Sequence, residues 1–289
     1  MRFSKYHGTG NDFVMIEDVA DERTLSPALV AALCDRHAGV GADGVIRIAP
    51  SARADFFMDY RNADGETAEM CGNGIRCLAK YVYERGLTDK TELDVDTRDG
   101  LKHLVLDVDG GEMRTVRVDM GPPALERARI PMGGPANDRF VDRPFPDAGA
   151  GYRATAVSMG NPHLVLLGEE DPGALDLPRA GPPLEHHPDF PQGTNVEFIR
   201  VEDGAVQARV WERGSGETMA CGTGGCASLV AAHLLGLVGR KATVRFPGGD
   251  LQIDWADDDH VYLTGPATFV FDGELADAWV ASLSEGAAR

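Results

Sequence analysis

A short pattern occurs twice in the sequence, once in each half, and it limits the possible folds more than any other feature. In each copy a Gly-Glu-Thr turn precedes a Cys-Gly-X-Gly element, and a helix-like segment follows. The two copies are Gly65-Glu66-Thr67 with Cys71-Gly72-Asn73-Gly74, and Gly216-Glu217-Thr218 with Cys221-Gly222-Thr223-Gly224. The repetition predicts a duplicated domain, and equivalent elements of such a pair commonly flank a shared cleft.

The segments around the two copies predict a similar order of strands and helices. Ser26 and Pro27 predict the N-cap and first turn of an early helix. Later helices are predicted from about Gly74 to Arg85 and from about Gly224 to Leu235. Strands are predicted at Phe13–Ile16, Asp55–Tyr60, Ala154–Ser158, Leu164–Leu167, Asn195–Val201 and Val206–Trp211. The Pro- and Gly-rich region from about 121 to 151 predicts the crossing between two domains, residues 1–121 and 122–266.

Composition and charge exclude several classes of protein. With 43% hydrophobic and 26% charged residues, the chain has enough apolar surface for a core. The net charge of −18 makes nucleic acid and anionic membranes poor partners. No apolar run approaches the roughly 18 residues of a membrane span, and the first residues lack the apolar run of a signal peptide. We therefore expect a cytoplasmic protein.

The five cysteines are an odd number in a chain for which no export is expected, so a disulfide framework is not predicted. We interpret Cys34, Cys77 and Cys226 as buried structural residues. Zinc binding by the four paired cysteines is disfavoured because their spacing is wider than that of most zinc sites. Cys71 and Cys221 are therefore expected to act, if they have a function, as reactive thiols.

A cysteine just before a helix lies at the positive end of the helix dipole, which lowers its pKa from a reference of about 8.5. The adjacent glycines leave the amides of the first turn open to an anion such as a carboxylate. Inversion of a stereocentre beside a carboxylate requires one group that removes a proton and another that returns one to the opposite face. A thiolate and a thiol can supply both, and no cofactor is expected.

Two further positions carry groups that suit such a site. His163 follows Gly160-Asn161-Pro162 and is either a structural histidine or a group that sets the protonation of a thiol. Glu212 and Arg213 end a strand before the second cysteine element. They are either an exposed ion pair or the opposite charges that an amino-acid substrate needs.

Motifs along nearly the whole chain resemble those of the diaminopimelate epimerase family. They are His7-Gly8-Thr9-Gly10-Asn11-Asp12-Phe13, Asn62-Ala63-Asp64-Gly65, Cys71-Gly72-Asn73-Gly74-Ile75-Arg76-Cys77, Ser158-Met159-Gly160-Asn161-Pro162-His163, Glu212-Arg213-Gly214 and Ala220-Cys221-Gly222-Thr223-Gly224. The resemblance implies an α+β fold of two pseudo-symmetric domains, each a curved mixed or antiparallel sheet wrapped around a central helix. It also implies that residues 267–289 return to the first domain, and that the protein is a homodimer.

The activity implied by the resemblance is cofactor-independent interconversion of L,L- and meso-2,6-diaminopimelate, a step toward lysine and peptidoglycan precursors. Cys71 and Cys221 would be the acid–base pair, and His163 and Glu212 would tune them. The substrate contacts implied are Asn11, Asn62, Gly72, Asn73, Asn161, Asn195, Glu212, Arg213, Gly222 and Thr223. The chain departs from many relatives at Gly44, where they have Gln, and in residues 274–289, where we predict a short helix.

Other functions remain open at this point. A proline racemase-like enzyme or hydroxyproline epimerase also uses two cysteines, but it has His where this chain has Asn73 and no use for Arg213. A thiol redox protein or a zinc-binding protein would use the same cysteines for different chemistry. Pyridoxal phosphate dependence is disfavoured because none of the five lysines lies in a suitable context.

Overall fold

The computed structural model describes residues 1–149 and 151–285, which form two compact units. The first unit contains Met1–Val118 and the chain from Gly265 onward, and the second contains Asp119–Thr264. The expected boundaries after residues 121 and 266 differ from these by a few residues. Strands and helices are numbered below in chain order.

The first unit combines a mixed sheet with three helices among the described residues. Its strands are β1 (Arg2–Gly8), β2 (Asn11–Glu17), β3 (Gly44–Ala49), β4 (Phe56–Asn62), β5 (Glu92–Thr97), β6 (Gly100–Asp109), β7 (Glu112–Asp119) and β17 (Thr268–Glu274). Its helices are α1 (Pro27–Cys34), α2 (Gly72–Glu84) and α5 (Asp277–Glu285).

The second unit also combines strands with helices. Its strands are β8 (Arg143–Pro144), β9 (Arg153–Ser158), β10 (Pro162–Leu167), β11 (Asn195–Glu202), β12 (Ala205–Glu212), β13 (Gly216–Thr218), β14 (Lys241–Phe246), β15 (Gly249–Trp255) and β16 (Val261–Gly265). Its helices are α3 (Leu177–Glu185) and α4 (Gly222–Leu234), and short 3-10 turns lie at Arg127–Arg129, Pro146–Ala148 and Pro172–Ala174.

Strand pairing follows the same sequence in both units. From β1 to β6 the neighbouring strands pair antiparallel, parallel, antiparallel, parallel and antiparallel. From β9 through β10, β11, β12 and β14 to β15 the order is identical. In the first unit β17 extends the sheet by pairing antiparallel with β1. The two units therefore have the same topology, as the repeated motif predicts.

A central helix lies against the concave side of each sheet. The helix α2 contacts β1, β2, β3, β4 and β17, whereas α4 contacts β9 to β12, β14 and β15. Strands from across each sheet contact a single helix, so the sheet wraps around that helix. Most residues of α4 are buried as a result. The predicted α+β fold, with a curved sheet around a central helix in each half, is confirmed.

The outer side of each sheet is covered by other elements. In the first unit α1 begins at the predicted cap, where Ser26 accepts a hydrogen bond from the amide of Leu29. Leu29, Leu33 and Cys34 pack with β2 and β3, and Trp279 of α5 packs against the same cluster. The short helix predicted after residue 274 is present as α5, and its outermost predicted part, residues 286–289, lies outside the described residues.

The helix α3 was not predicted, because Pro182 and Pro183 lie inside it and proline normally breaks a helix interior. Its buried Leu177 and Leu184 join the core that covers the outer side of the sheet in the second unit. Among the described residues, no helix is long and apolar enough to cross a membrane.

Candidate active site

Each leading cysteine is the N-cap of a central helix. Cys71 and Cys221 both have extended backbone conformations, and their sulfurs accept hydrogen bonds from the amides of Gly74 and Gly224 at 3.4 and 3.3 Å. An N-cap side chain satisfies one of the amides that the first turn leaves without an intrahelical partner. Both sulfurs therefore lie at the positive end of a helix dipole, as the sequence predicts.

In the first unit, asparagine side chains surround Cys71. Asn11 Oδ1 accepts hydrogen bonds from Asn73 Nδ2 at 3.2 Å and from the Cys71 sulfur at 3.7 Å. Thr9 donates to Asn73 Oδ1 at 3.4 Å. Thr9 has a positive φ of 50°, which is uncommon outside glycine and is found at functional sites. The tight turn between β1 and β2 thus brings Asn11 to the start of α2.

A fully buried arginine fixes this turn to the helix. Arg76 donates hydrogen bonds to the Gly72 carbonyl oxygen at 3.0 Å, to Thr9 Oγ1 at 3.2 Å and to the Pro266 carbonyl oxygen at 3.0 Å. Its side chain therefore joins the β1–β2 turn, the start of α2 and the segment before β17. Arg76 lies within the motif around Cys71, but no role for it follows from the sequence alone.

Asn11 is held by an ionic network behind it. Its Nδ2 donates to Asp43 Oδ2 at 2.7 Å, and Arg36 pairs with both Asp43 and Asp12 at 2.7 Å. Burial alone would raise the pKa of Asp12, but hydrogen bonds from Arg36 and Lys5 outweigh this effect and lower the pKa to about 2. The network keeps Asp12 ionised at neutral pH, so Asn11 rests on a charged, hydrogen-bonded support.

Asn62 ends β4 and is partly buried, and Gly44 of β3 lies opposite it in the sheet. A Cβ atom at Gly44 would lie 2.6 Å from both the Arg61 carbonyl oxygen and Tyr60 Cε2. These distances leave no room for a side chain. Many relatives have Gln where this chain has Gly44. In this chain, β3 packs closely on β4 at that position.

In the second unit, Cys221 is buried beside two carboxylates. Its sulfur lies 3.4 Å from Thr223 Oγ1, and Glu212 is within hydrogen-bonding reach of the thiol. Burial, followed by the charges of Glu212 and Glu197, raises the pKa of Cys221 well above that of an ordinary thiol. The surroundings of Cys221 therefore favour the neutral thiol, and the lowered pKa expected from the helix dipole is wrong for this cysteine because burial and the two carboxylates outweigh the dipole.

Glu212 lies at the end of β12 and accepts a short hydrogen bond from Thr218 Oγ1. Burial and the nearby charge of Glu197 raise its pKa, and the hydrogen bonds from Thr218 and Cys221 oppose this shift. A carboxyl group with a raised pKa beside a thiol can exchange a proton with it near neutral pH.

His163 is fully buried in β10, and both of its ring nitrogens have partners. Nδ1 lies 2.7 Å from Glu197 Oε1, and Nε2 lies 2.9 Å from Asn161 Oδ1. Glu197 was missed by the sequence analysis. Its position on β11, two residues after Asn195, is the signal that could have found it, because alternate residues of a strand share a face.

Asn195, the first residue of β11, contacts Arg213 in the turn that follows β12. Asn195 Oδ1 accepts the Arg213 amide at 2.9 Å, and its Nδ2 donates to the Pro162 carbonyl oxygen at 2.9 Å. The buried Glu185 also accepts the Gly214 amide at 2.8 Å. The guanidinium of Arg213 is exposed and donates to the Gln192 carbonyl oxygen at 3.2 Å. The turn thus holds a cation at the surface of the second unit.

The other cysteines differ from the two N-caps. Cys77 and Cys226 are wholly buried inside the central helices, and Cys34 is buried in α1. Burial raises the pKa values of Cys34 and Cys77 to about 12. Buried free cysteines of this kind behave as small apolar residues.

The two units thus carry matching groups, a cysteine N-cap and open first-turn amides, in different surroundings. The half-site of the first unit (Cys71, Gly72, Asn73, Asn11 and Asn62) is rich in amides. The half-site of the second unit (Cys221, Gly222, Thr223, Asn161, His163, Asn195, Glu212 and Arg213) also contains ionisable groups. Each half-site can bind a carboxylate at its helix N-terminus and can transfer a proton through its sulfur.

The chain is similar over almost its whole length to proteins of known family. The chain is 50% identical over 277 residues to the diaminopimelate epimerase of Pelotomaculum thermopropionicum, with 95% of this chain and 98% of that protein covered. It is also 50% identical to the diaminopimelate epimerase of Moorella thermoacetica over 278 residues, which cover 95% and 99% of the two chains.

A solved structure of a probable proline racemase from Agrobacterium radiobacter has the same fold, with a TM-score of 0.69, 18% identity, and coverage of 96% of this chain and 93% of that one. The family model described as diaminopimelate epimerase matches residues 3–126 and 155–270. The chain is an enzyme of the isomerase class and belongs to the diaminopimelate epimerase family.

Proposed function

We propose that the protein interconverts L,L- and meso-2,6-diaminopimelate by proton transfer at one α-carbon, with Cys71 and Cys221 as the two acid–base groups. The observation that carries the proposal is that both cysteines cap a central helix beside open first-turn amides. One sulfur acts as a thiolate that removes the α-proton. The other, as a thiol, returns a proton to the opposite face of the carbon.

Backbone amides stabilise the charge that builds on the substrate carboxylate. The amides of Gly72 and Asn73 open α2, and those of Gly222 and Thr223 open α4. They are preorganised by the helices and act as an oxyanion hole does. In this scheme the reaction proceeds without metal or cofactor.

The remaining polar groups recognise the distal end of the substrate. Arg213 is suited to a carboxylate, and Glu212 with the side chains of Asn11, Asn62, Asn161 and Asn195 is suited to ammonium and carboxylate groups. An amino acid without a second ammonium and carboxylate would leave such groups unpaired, which costs about 1–3 kcal/mol for each. This selectivity argues against proline as the substrate.

The two sulfurs differ in their proposed resting states. Cys221 rests as the thiol because burial and two nearby carboxylates raise its pKa. The scheme then assigns the role of base to Cys71, whose half-buried sulfur accepts the Gly74 amide at the positive end of α2. The enzyme thus begins with one base and one acid.

The proposed reaction is tested by proton exchange in deuterated water. Purified protein treated with a chelator and given no cofactor is incubated separately with L,L-diaminopimelate and with L-proline. We expect deuterium at the α-carbon of diaminopimelate and none in proline. Deuterium that enters only proline would reject the assignment, and a requirement for an added metal would reject the cofactor-free scheme.

The pH dependence of kcat/KM is expected to be bell-shaped. Protonation of the thiolate removes the base at low pH, and ionisation of the thiol removes the acid at high pH. Because burial and the charges of Glu212 and Glu197 raise the pKa of Cys221, the alkaline limb should lie above the ordinary thiol value of about 8.5. Glu212→Gln should move this limb to lower pH. An alkaline limb below pH 8.5 that does not move in the variant would contradict the assignment.

We further propose that the protein is a homodimer. Phe269, Val270 and Phe271 of β17 are exposed apolar side chains in consecutive positions. Contiguous exposed apolar surface of this kind is typical of contacts between chains.

A further inference from the structure

A buried carboxylate in the second unit has no role in the reaction scheme above. Glu197 is fully buried on β11, and its Oε1 lies 2.7 Å from His163 Nδ1. Its Oε2 has no hydrogen-bond partner in the part of the chain that the structure describes. A carboxylate in such surroundings is stable only if a nearby cation compensates its charge.

The ring of His163 is the group placed to supply that cation. Nδ1 faces a carboxylate oxygen, and Nε2 faces the side-chain oxygen of Asn161 at 2.9 Å. Both partners are hydrogen-bond acceptors. A neutral imidazole has only one N–H, whereas the imidazolium has two. The contacts of the ring are therefore those of an imidazolium.

Hydrogen bonds continue from His163 to the sulfur of Cys221. Asn161 Nδ2 donates to Thr223 Oγ1 at 3.3 Å, and Thr223 Oγ1 lies 3.4 Å from the sulfur. Because Thr223 already accepts from Asn161, its own hydrogen is free to point at the sulfur. The amide of Gly224 is a second donor to the sulfur, at 3.3 Å. The chain of donors thus begins at a cation and ends at the sulfur.

Glu197 also contacts the first turn of α4 directly. A Cβ atom at Gly224 would lie 2.6 Å from Glu197 Oε1. Glycine at position 224 is therefore explained by the carboxylate as well as by the reactive turn. At Gly225 the nearest atom to a Cβ is Phe246 Cε2, at 3.3 Å, so that position does not face the carboxylate.

We propose that Glu197 is a positioning residue that holds His163 as an imidazolium and thereby directs the hydrogen-bond chain through Asn161 and Thr223 toward Cys221. This inference rests on the proposed function insofar as Cys221 is an acid–base group. The charged groups that act on the ring are Glu197 on β11, which contacts it, and Glu212 on β12. The partner strand β9 places Val157 opposite His163.

The protonation of His163 is measured by nitrogen NMR of the whole protein with labelled histidine. The signals of His163 are identified by their absence in a His163→Gln variant. In the wild-type protein we expect both ring nitrogens to carry a proton at pH 7.5. A neutral His163 ring at pH 7.5 would overturn the proposal.

The Glu197→Gln variant tests the effect of the negative charge of Glu197 while the size of the side chain is kept. Glutamine keeps the size of the side chain but cannot compensate an imidazolium, so we expect a neutral His163 at pH 7.5. We also expect kcat to fall about 10²-fold, the scale of a perturbed acid–base step, with KM changed less than about threefold. Glu202→Gln, at the exposed end of the same strand, is the control and should match the wild-type protein.

Two glycine variants test the contact with α4. Gly224→Ala should lower kcat and disturb the His163 signals, whereas Gly225→Ala should leave both near their wild-type values. Equal effects of the two variants, or an unchanged His163 in Glu197→Gln, would contradict the proposal. A wild-type protein that fails to epimerise diaminopimelate would instead reject the proposed function, because the NMR measurement does not depend on turnover.

Discussion

Serine in place of Cys71 or of Cys221 is expected to lower kcat for epimerisation by about 10³-fold, within the range for loss of an acid–base group. A hydroxyl is a much weaker acid than a thiol and yields almost no anion at neutral pH. Serine is nevertheless a favoured N-cap, so it keeps the hydrogen bond to the amide of Gly74 or Gly224. The loss of activity should therefore occur in a folded protein, which thermal unfolding will verify.

The double variant provides a further measurement. Because the two sulfurs act in one reaction, we expect Cys71→Ser with Cys221→Ser to be about as inactive as either single variant. Cys226→Ala, inside the same helix as Cys221, is the matched control and should keep its kcat. Substantial turnover by the double variant would rule out acid–base catalysis by these cysteines.

Replacement of Arg76 by methionine should lower the free energy of unfolding more than any of the other substitutions proposed above. The side chain is fully buried and donates to the Gly72 and Pro266 carbonyl oxygens and to Thr9. Methionine fills part of the volume but leaves buried acceptors unpaired, at about 1–3 kcal/mol each. We expect the free energy of unfolding to fall by about 3 kcal/mol, measured by urea denaturation.

The control for Arg76 is Arg85→Met, just after the same helix. Arg85 pairs with Asp272 near the surface, where an ion pair contributes less than about 1 kcal/mol. If both variants lost the same stability, the buried hydrogen bonds of Arg76 would not be the cause. Because Arg76 also holds the Thr9 turn beside Asn73, its replacement should weaken substrate binding as well.

Much of the fold follows from local signals in the sequence. Ser26 with Pro27 predicts the start of α1, and the two Cys-Gly-X-Gly elements predict the starts of α2 and α4. The predicted helices began two residues late, at Gly74 and Gly224, because glycine is a poor helix former and the analysis left Gly72 and Gly222 outside. In the structure Gly72 and Gly222 are the first residues of α2 and α4.

The candidate site was predictable only where a motif is short and continuous. Glu197 and Arg76 were missed because their roles depend on contacts that the fold creates. Glu197 faces His163 from 34 residues further along the chain, and Arg76 bonds to Pro266 across 190 residues. An acidic residue within a strand is more often solvated than buried, so only the spacing of two residues from Asn195 on the same strand distinguishes Glu197 from Glu202.

The pairing of β1 with β17 has a consequence for the order in which the protein is made. The second unit is one uninterrupted stretch, so all of its strands are available as soon as residue 264 has left the ribosome. The first unit must keep an apolar strand edge open until β17 is synthesised, more than 250 residues after β1. The pairing of β17 with β1, which completes the sheet of the first unit, is therefore a slow, long-range step of folding. Nascent chains released before that point will carry an unpaired edge that chaperones must cover.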